Sequence, residues 1–292
     1  MTTVPARAPR TPSRALRRFW RNKAALVGLA VCLLVLVAAL FAPWVAPHDP
    51  DYGFTEGLSL EGAPVPPGHA FLLGTDLLGR DLLSRVIWGA RASLTVGFVA
   101  NGVATLLGLL IGSLGALWRG VGGTLVMRFT DVMLAFPVLL LAIALTAILK
   151  PSLWIVALVI AGLNWVPIAR VVYAEVMSLR EREFVEAAQA VGAAPGRVLA
   201  RHVLPHLIPT ALVWGSLGVG TTVLLEATLS FLGVGVQPPT PSWGGIINES
   251  QSYLTTAPWL VLAPGAAILL TALGFNLLGE GLRDALDPRG GA

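Results

Sequence analysis

An all-α protein that crosses a membrane six times is the fold this sequence predicts, and three observations predict it. Hydrophobic residues make up 55% of the chain and charged residues only 12%, against about 25% charged in an ordinary soluble domain. The apolar residues run continuously and do not follow the ten-residue alternating pattern of a transmembrane barrel. At about 20 residues per crossing, 292 residues leave room for six helical spans once tails and loops are set aside.

Six uncharged apolar runs supply those spans: Ala24 to Val45, Ser93 to Trp118, Val132 to Leu149, Leu153 to Ala169, Leu207 to Phe231 and Trp259 to Leu278. They divide the chain into a basic N-terminal tail (1–23), a first span (24–45), an external segment (46–92), a membrane core (93–278) and a C-terminal tail (279–292). The first run follows Arg14, Arg17, Arg18, Arg21 and Lys23 and so resembles a secretory signal. Its apolar part exceeds the 7–15 residues of a signal core and has no clear small-x-small cleavage site, so a retained helix is expected.

Basic residues set the orientation, because they are retained on the cytoplasmic side. With both termini inside, Arg119, Arg128 and the five basic residues from Arg170 to Arg201 join those of the two tails, and sixteen of the twenty Lys and Arg are cytoplasmic. Arg80, Arg85, Arg91 and Lys150 remain outside. A bacterial cytoplasmic membrane protein with both termini in the cytoplasm is expected. In so apolar a chain the basic excess is orientation charge beside the spans and not a nucleic-acid surface.

Several kinds of chemistry find no support. The single cysteine, Cys32, cannot form an intramolecular disulfide. Neither lysine, Lys23 or Lys150, follows a glycine, so the phosphate-gripping GxxxxGK[ST] loop is absent. His202 and His206 have metal-pair spacing, but Pro205 lies between them and no third ligand is evident. No Ser-His-Asp, paired-carboxylate or HExxH arrangement stands out, so this chain is not expected to be an enzyme, to hold a metal or to carry its own cofactor.

Outside the membrane, the segment from His48 to Ala92 turns amphipathic in LLSRVIWGAR. Leu82, Leu83, Val86, Ile87 and Ala90 share one helical face, suited to the membrane surface or to packing on the spans. Val234 to Pro258 contains QPPTPSWGG and reads as an ordered external loop. Glycines recur at Gly108-xxx-Gly112 and Gly215-xx-Gly218-x-Gly220, where small residues let helix backbones approach.

The cytoplasmic stretch VMSLREREFVEAAQAVGAAPGRVLARHVLPHLIP, about 174–206, is too regular for disorder and reads as two helices around a turn. Phe184, Ala187, Ala188 and Val191 form the apolar stripe of the first helix. Gly192 ends it, Pro195 opens the second, and Pro205 marks the exit towards the fifth span. Such a pair either packs on its own protein or docks to a partner.

Glu186-Ala187-Ala188, Gly192 and Leu204-Pro205 match the EAA loop (EAA-x3-G-x9-I-x-LP) of the membrane subunits of binding-protein-dependent ABC importers, with His202 at the isoleucine position. LGTDLLGRDLLSRVIWGARASL, LSFLGVGVQPPTPSWG, and APW-x4-APG with FNLLGEGLRDALDPR add to the match. In these motifs the chain resembles the dipeptide, oligopeptide and nickel permeases of that family, in particular the shorter "C" member.

The resemblance implies a type I importer permease fold and half of a translocation pathway for di- or oligopeptides. It implies as partners a homologous "B" permease, two ATPase subunits that hold ATP and Mg, and an extracytoplasmic solute-binding protein. It also implies that Glu186, Ala187, Ala188, Gly192, Leu204 and Pro205 lie in a coupling element seated in a cleft of the ATPase.

Other polar residues have two readings each. Glu226, within the fifth span, lines the pathway or is bonded within the helix packing. Thr75, Asp76, Arg80 and Asp81 dock the binding protein, or cap and orient the helix after them. Asp131 is expected to pair with Arg128. The rivals are an ion-coupled secondary transporter, which leaves the EAA loop unexplained, a permease of the same family for nickel or another small solute, and a scaffold or membrane enzyme.

The charge bias gives a direct test. Single cysteines at Ser59 and Ser252, in a Cys32→Ser background, should react with an impermeant thiol reagent in intact cells, and one at Ser178 only after lysis. Reaction at Ser178 in intact cells would reverse the topology.

Overall fold

The computed structural model describes residues 12–118 and 121–286. Arg7, Arg10, Arg119 and Arg289, counted above as orientation charges, and residues 287–292 of the C-terminal tail lie outside the described residues. Every extended regular element among the described residues is a helix. Helix α1 (Pro12–Arg21) turns at Asn22 into α2 (Lys23–Leu40), and α3 (Ala42–Val45) completes the first apolar run. Asn22 caps α2, its side-chain oxygen accepting from the Ala25 amide at 3.2 Å.

Helix α4 (Leu82–Leu117) contains 36 residues and at 1.5 Å each is about 54 Å long, far more than the bilayer core. The amphipathic LLSRVIWGAR stretch and the run from Ser93, expected as separate pieces, are one helix, and the stretch packs on the spans. Its apolar face is covered from the side: Val86 and Ala90 join a cluster with Trp243, whose indole N–H donates to the Val86 carbonyl at 2.9 Å.

The third run is broken. Helices α5 (Val121–Leu134) and α6 (Val138–Leu149) meet at 87°, so the continuous span expected from Val132 to Leu149 does not form. Pro137 has no N–H to continue the ladder and is itself extended, at φ -61 and ψ 117. Among the described residues five other helices are long and apolar enough to cross a membrane, and the bent pair makes six where its two arms count as one span.

Helix α7 (Leu153–Arg180) passes Ala169, where the fourth span was expected to end, and carries its last turns towards the loop that follows it. There Arg180 donates to the Ala116 carbonyl near the end of α4. Helices α8 (Glu183–Ala190) and α9 (Pro195–Val198) follow, then the long α10 (Leu204–Phe231), the short α11 (Trp243–Ser250) and α12 (Trp259–Leu286). Helix α12 overruns the expected end at Leu278, so residues 279–286 belong to the helix and not to a tail. The overrun is packed, since a Cβ at Gly279 would strike Leu217 of α10 and one at Gly281 would strike Ala25 of α2.

The helices associate in pairs: α4 along α7, α10 along α12 and α4, and α12 along α2. The α4–α7 seam is the most extensive. A Cβ at Gly108 would lie 2.6 Å from the Ile168 Cβ, and one at Gly112 would run into the Ala169 carbonyl oxygen. Lipid leaves no hydrophobic force to join two helices, so close backbone packing supplies the attraction.

Replacing Gly112 with valine should therefore force the two backbones apart and cost about 1–3 kcal/mol. The expected result is a lower melting temperature of the purified protein. Gly102→Ala, in the same helix but with nothing within 4 Å of an added Cβ, should leave the melting temperature unchanged.

Candidate functional site

The loop between α7 and α10 is a capped helical hairpin built directly on two spans. Helix α8 ends in a Schellman motif: the Gly192 amide donates to the Gln189 carbonyl at 2.9 Å and the Ala193 amide to the Ala188 carbonyl at 3.1 Å. Gly192 has φ +84, a conformation only glycine adopts at little cost, while an added Cβ there would meet nothing within 4 Å. Its glycine is required by the backbone and not by crowding within this chain. Pro195 opens α9 as expected.

The second half of the hairpin differs from the expectation. Pro205 does not end a helix, because α9 continues through a π turn at Leu199–Val203 into α10. In that turn the Leu204 amide donates to the Leu199 carbonyl, five residues back. A proline ring in a regular helix clashes with the carbonyl four residues before it, and a widened turn relieves such crowding. The loop is thus continuous with the fifth span.

The apolar face of α8 also differs from the stripe expected. Val185 is fully buried and packs with Val198, Val203 and Leu207 against Val172 and Val176 of α7. Ala188 is half-buried against the same cluster. Phe184 stacks on the His206 ring at 5.2 Å, while Val191 at the tip is 85% exposed. Glu186, Ala187 and Ala190 are exposed. Both readings of the pair apply, each to a different face: one side is held by its own chain, and the other is open and mixes small, apolar and acidic residues. Thr210 adds a polar tie at the root, its hydroxyl donating to Glu175 of α7 at 2.7 Å.

At the opposite end, Thr75, Asp76, Arg80 and Asp81 are assembled around the start of α4. Asp76 is 2% exposed, and its Oδ2 accepts from Arg80 Nε at 2.6 Å and from Arg85 Nη1 at 2.5 Å. Its Oδ1 accepts from the Leu78 and Arg80 amides at 2.8 and 2.9 Å. Arg85 and Arg80 also reach Glu249 of α11, at 2.9 and 3.3 Å. Asp81 caps α4 through the Ser84 amide and hydroxyl at 3.0 and 2.6 Å, and lies 3.4 Å from His48 Nδ1. The Thr75 hydroxyl donates to the Gly57 carbonyl and accepts from the Val65 amide. Most of this polar capacity is used inside the protein, an arrangement that caps and orients α4.

Glu226 is fully buried beside Ser93 of α4. The Ser230 hydroxyl donates to its Oε1 at 2.7 Å and itself accepts from the Val236 amide at 3.1 Å. The carboxyl group thereby ties α10 to the loop after it and reaches no surface of this chain. Asp131 lies 3.6 Å from Arg128, the pair expected, and also meets Arg170 of α7.

Three participants were not singled out from the sequence. Glu249 stands 164 residues from Arg85, and nothing local to WGGIINES points back to it. Asn101, 3% exposed within α4, donates to the Gly215 carbonyl at 2.6 Å; a lone amide in an apolar run was the available signal. Glu175 was hidden because α7 was expected to end before it.

Comparison with known proteins places this geometry among transport proteins. Residues 104–290 match the family model described as binding-protein-dependent transport system inner membrane component. Residues 13–62 match the N-terminal TM domain of oligopeptide transport permease C. The chain is 44% identical over 279 residues to the di/tripeptide transport system permease protein DppC of Pseudomonas aeruginosa, covering 94% of this chain and 92% of the relative. It is 39% identical over 287 residues to the dipeptide transport system permease protein DppC of Haemophilus influenzae, covering 97% and 96%. It is 40% identical over 273 residues to the glutathione transport system permease protein GsiD of Escherichia coli O6:K15:H31, covering 94% and 89%. In fold it is similar to a chain of the MetNI methionine ABC transporter in inward-facing conformations, with TM-score 0.59 and 16% identity over 70% of this chain and 98% of that one.

The ion cluster at the start of α4 has a measurable consequence. Removing the Asp76 carboxylate leaves the Arg85 guanidinium, 2% exposed, without its nearest counter-charge, and breaking a buried pair from one side costs about 3–5 kcal/mol. Asp76→Ala should lower the melting temperature far more than Arg80→Gln, whose side chain is more exposed. An unchanged melting temperature in Asp76→Ala, with weaker stimulation by a binding protein, would restore the docking reading.

Proposed function

As this chain belongs to the binding-protein-dependent transport system inner membrane component family, we propose that it forms half of the translocation pathway of an ATP-driven importer for di- or oligopeptides. It is the multi-pass permease subunit of an ABC peptide importer and not an enzyme. Its relatives are transport permeases, and its sequence has no nucleotide-gripping loop. The proposed partners are a homologous permease, two ATPase subunits that bind ATP and Mg, and a solute-binding protein on the outer side. Both termini are proposed to face the cytoplasm, from the charge bias.

The observation that carries the coupling part is the two-faced hairpin. Val185, Val198, Val203 and Leu207 hold one side to α7, while Glu186, Ala187 and Val191 face outward on a helix closed by Gly192. We assign the outward side to the ATPase: alanine permits close approach, Val191 supplies apolar area, and Glu186 accepts a charge-assisted hydrogen bond. Leu204 and Pro205 belong to the stem by which the hairpin passes into the fifth span. Closure of the ATPase dimer around ATP would then move α7 and α10 together with the hairpin, switching the pathway between outward- and inward-facing states.

Because Ala188 faces its own chain, Ala187 is the sharper probe of docking. Ala187→Arg and Gly192→Asp should leave membrane expression near normal, abolish transport, and either lose the ATPase subunits in a pull-down or disconnect hydrolysis from substrate in nanodiscs. Glu186→Ala should have a milder effect. Wild-type coupling in both Ala187→Arg and Gly192→Asp would remove this loop as the transmission.

A further inference from the structure

The first helix carries a segregation of side chains that the transport function does not use. At 100° per residue, Ala15, Leu16, Phe19 and Trp20 of α1 fall within an arc of roughly 140°, and Arg17, Arg18 and Arg21 within an opposing arc of roughly 100°. The helix has no acidic residue. It packs on α12 and α2, and Phe19, half-buried, lies 3.7 Å from where a Cβ on Gly281 would stand. That contact uses only part of the apolar arc. Leu16 is 59% exposed and Trp20 57% exposed, on the shoulder between the packed side and the arginines.

Position decides what covers that shoulder. Asn22 caps α2 and its side-chain nitrogen lies 3.5 Å from Asp284 Oδ2 of α12, so the elbow between α1 and the first span is pinned. Lys23 begins the span itself. Trp20 and Leu16 therefore stand where the first span leaves the hydrocarbon, the level at which tryptophan settles in a bilayer. An apolar shoulder beside a face of arginines matches a surface whose upper layer is anionic and whose lower layer is apolar.

We propose that α1 is an anionic-lipid clamp: Leu16 and Trp20 enter the bilayer at the acyl boundary while Arg17 and Arg21 hold the phosphates of acidic headgroups. The clamp fixes the tilt of α2 and, through Phe19 and Asn22, the end of α12. The inference needs only that the chain spans a membrane. It does not depend on which side α1 occupies or on what is transported.

The test places a nitroxide at Leu16→Cys in the Cys32→Ser chain and reads its depth in nanodiscs of phosphatidylcholine alone and of phosphatidylcholine with phosphatidylglycerol. With phosphatidylglycerol the label should sit about 5–10 Å into the headgroup and acyl boundary; in phosphatidylcholine alone it should move towards water. Arg17→Gln with Arg21→Gln should abolish the difference between lipids, and Arg17→Lys with Arg21→Lys should retain it. If the glutamine variant does not fold, 1 M salt, where charges are screened beyond about 3 Å, should abolish the difference in the unsubstituted helix. Equal depth in both lipids, a label in water in both, or a difference indifferent to salt or to the loss of Arg17 and Arg21 would each overturn the proposal.

Discussion

The contact on which the rest of this molecule depends is the one between α4 and α7. Inside a bilayer each helix satisfies its own backbone, and two helices gain nothing by hiding apolar side chains from lipid. What joins them is dispersion at close range, and Gly108 and Gly112 let the α4 backbone meet Ile168 and Ala169 directly. The N-terminal end of α4 is set by Asp81 and Arg85, and near its C-terminal end the Ala116 carbonyl accepts from Arg180, the last residue of α7. One stiff pair of helices thus runs from the ion cluster, which ties α4 to α11 through Glu249, to the base of the hairpin, where Arg180 ties α7 to α4.

That stiffness matters for the hairpin. A docking element that must be ordered when its partner arrives costs conformational entropy at that moment. Here the order is already present: Val185 and its neighbours hold α8 to α7, the Schellman motif closes its carbonyl end, and the π turn carries α9 into α10 without a joint. Glu186, Ala187 and Val191 are exposed on an element whose two roots are membrane spans. Short turns at 181–182 and 191–194 join α8 to α7 and to α9, while α9 runs into α10 as continuous helix.

What was legible in the sequence follows from the range of each signal. Apolar runs are properties of short windows, so five of the six expected spans appear as long helices and the third as the bent pair α5 and α6. The capped turn at Gly192 and Pro195 was found because glycine and proline act on their own dihedrals. Helix ends in water-exposed regions were harder, because no apolar contrast marks them: α4, α7 and α12 each extend beyond their apolar run. Which face of α8 turns inward could not be read from eight residues, since Val185 and the stripe of Phe184, Ala187 and Val191 are both apolar. Partners distant in sequence left no trace, and Glu249 beneath Arg85 and Arg170 beside Asp131 appear only once the helices are assembled.

The break between α5 and α6 points beyond this chain. Irregular backbone at membrane depth is tolerated only where protein covers it or where it lines water, because the carbonyls freed by the bend need partners. The bend packs on one side near Leu163, Asn164 and Pro167 of α7. On the other side Leu134 is 44% exposed and Phe136 54% exposed, so this chain leaves half of the bend uncovered. Lipid does not satisfy that half. A second helical subunit or an aqueous path does, and a permease that supplies half of a pathway has both requirements at one place. Asn164, a partly exposed amide on the covered side, gives the bend a polar neighbour on an otherwise apolar wall.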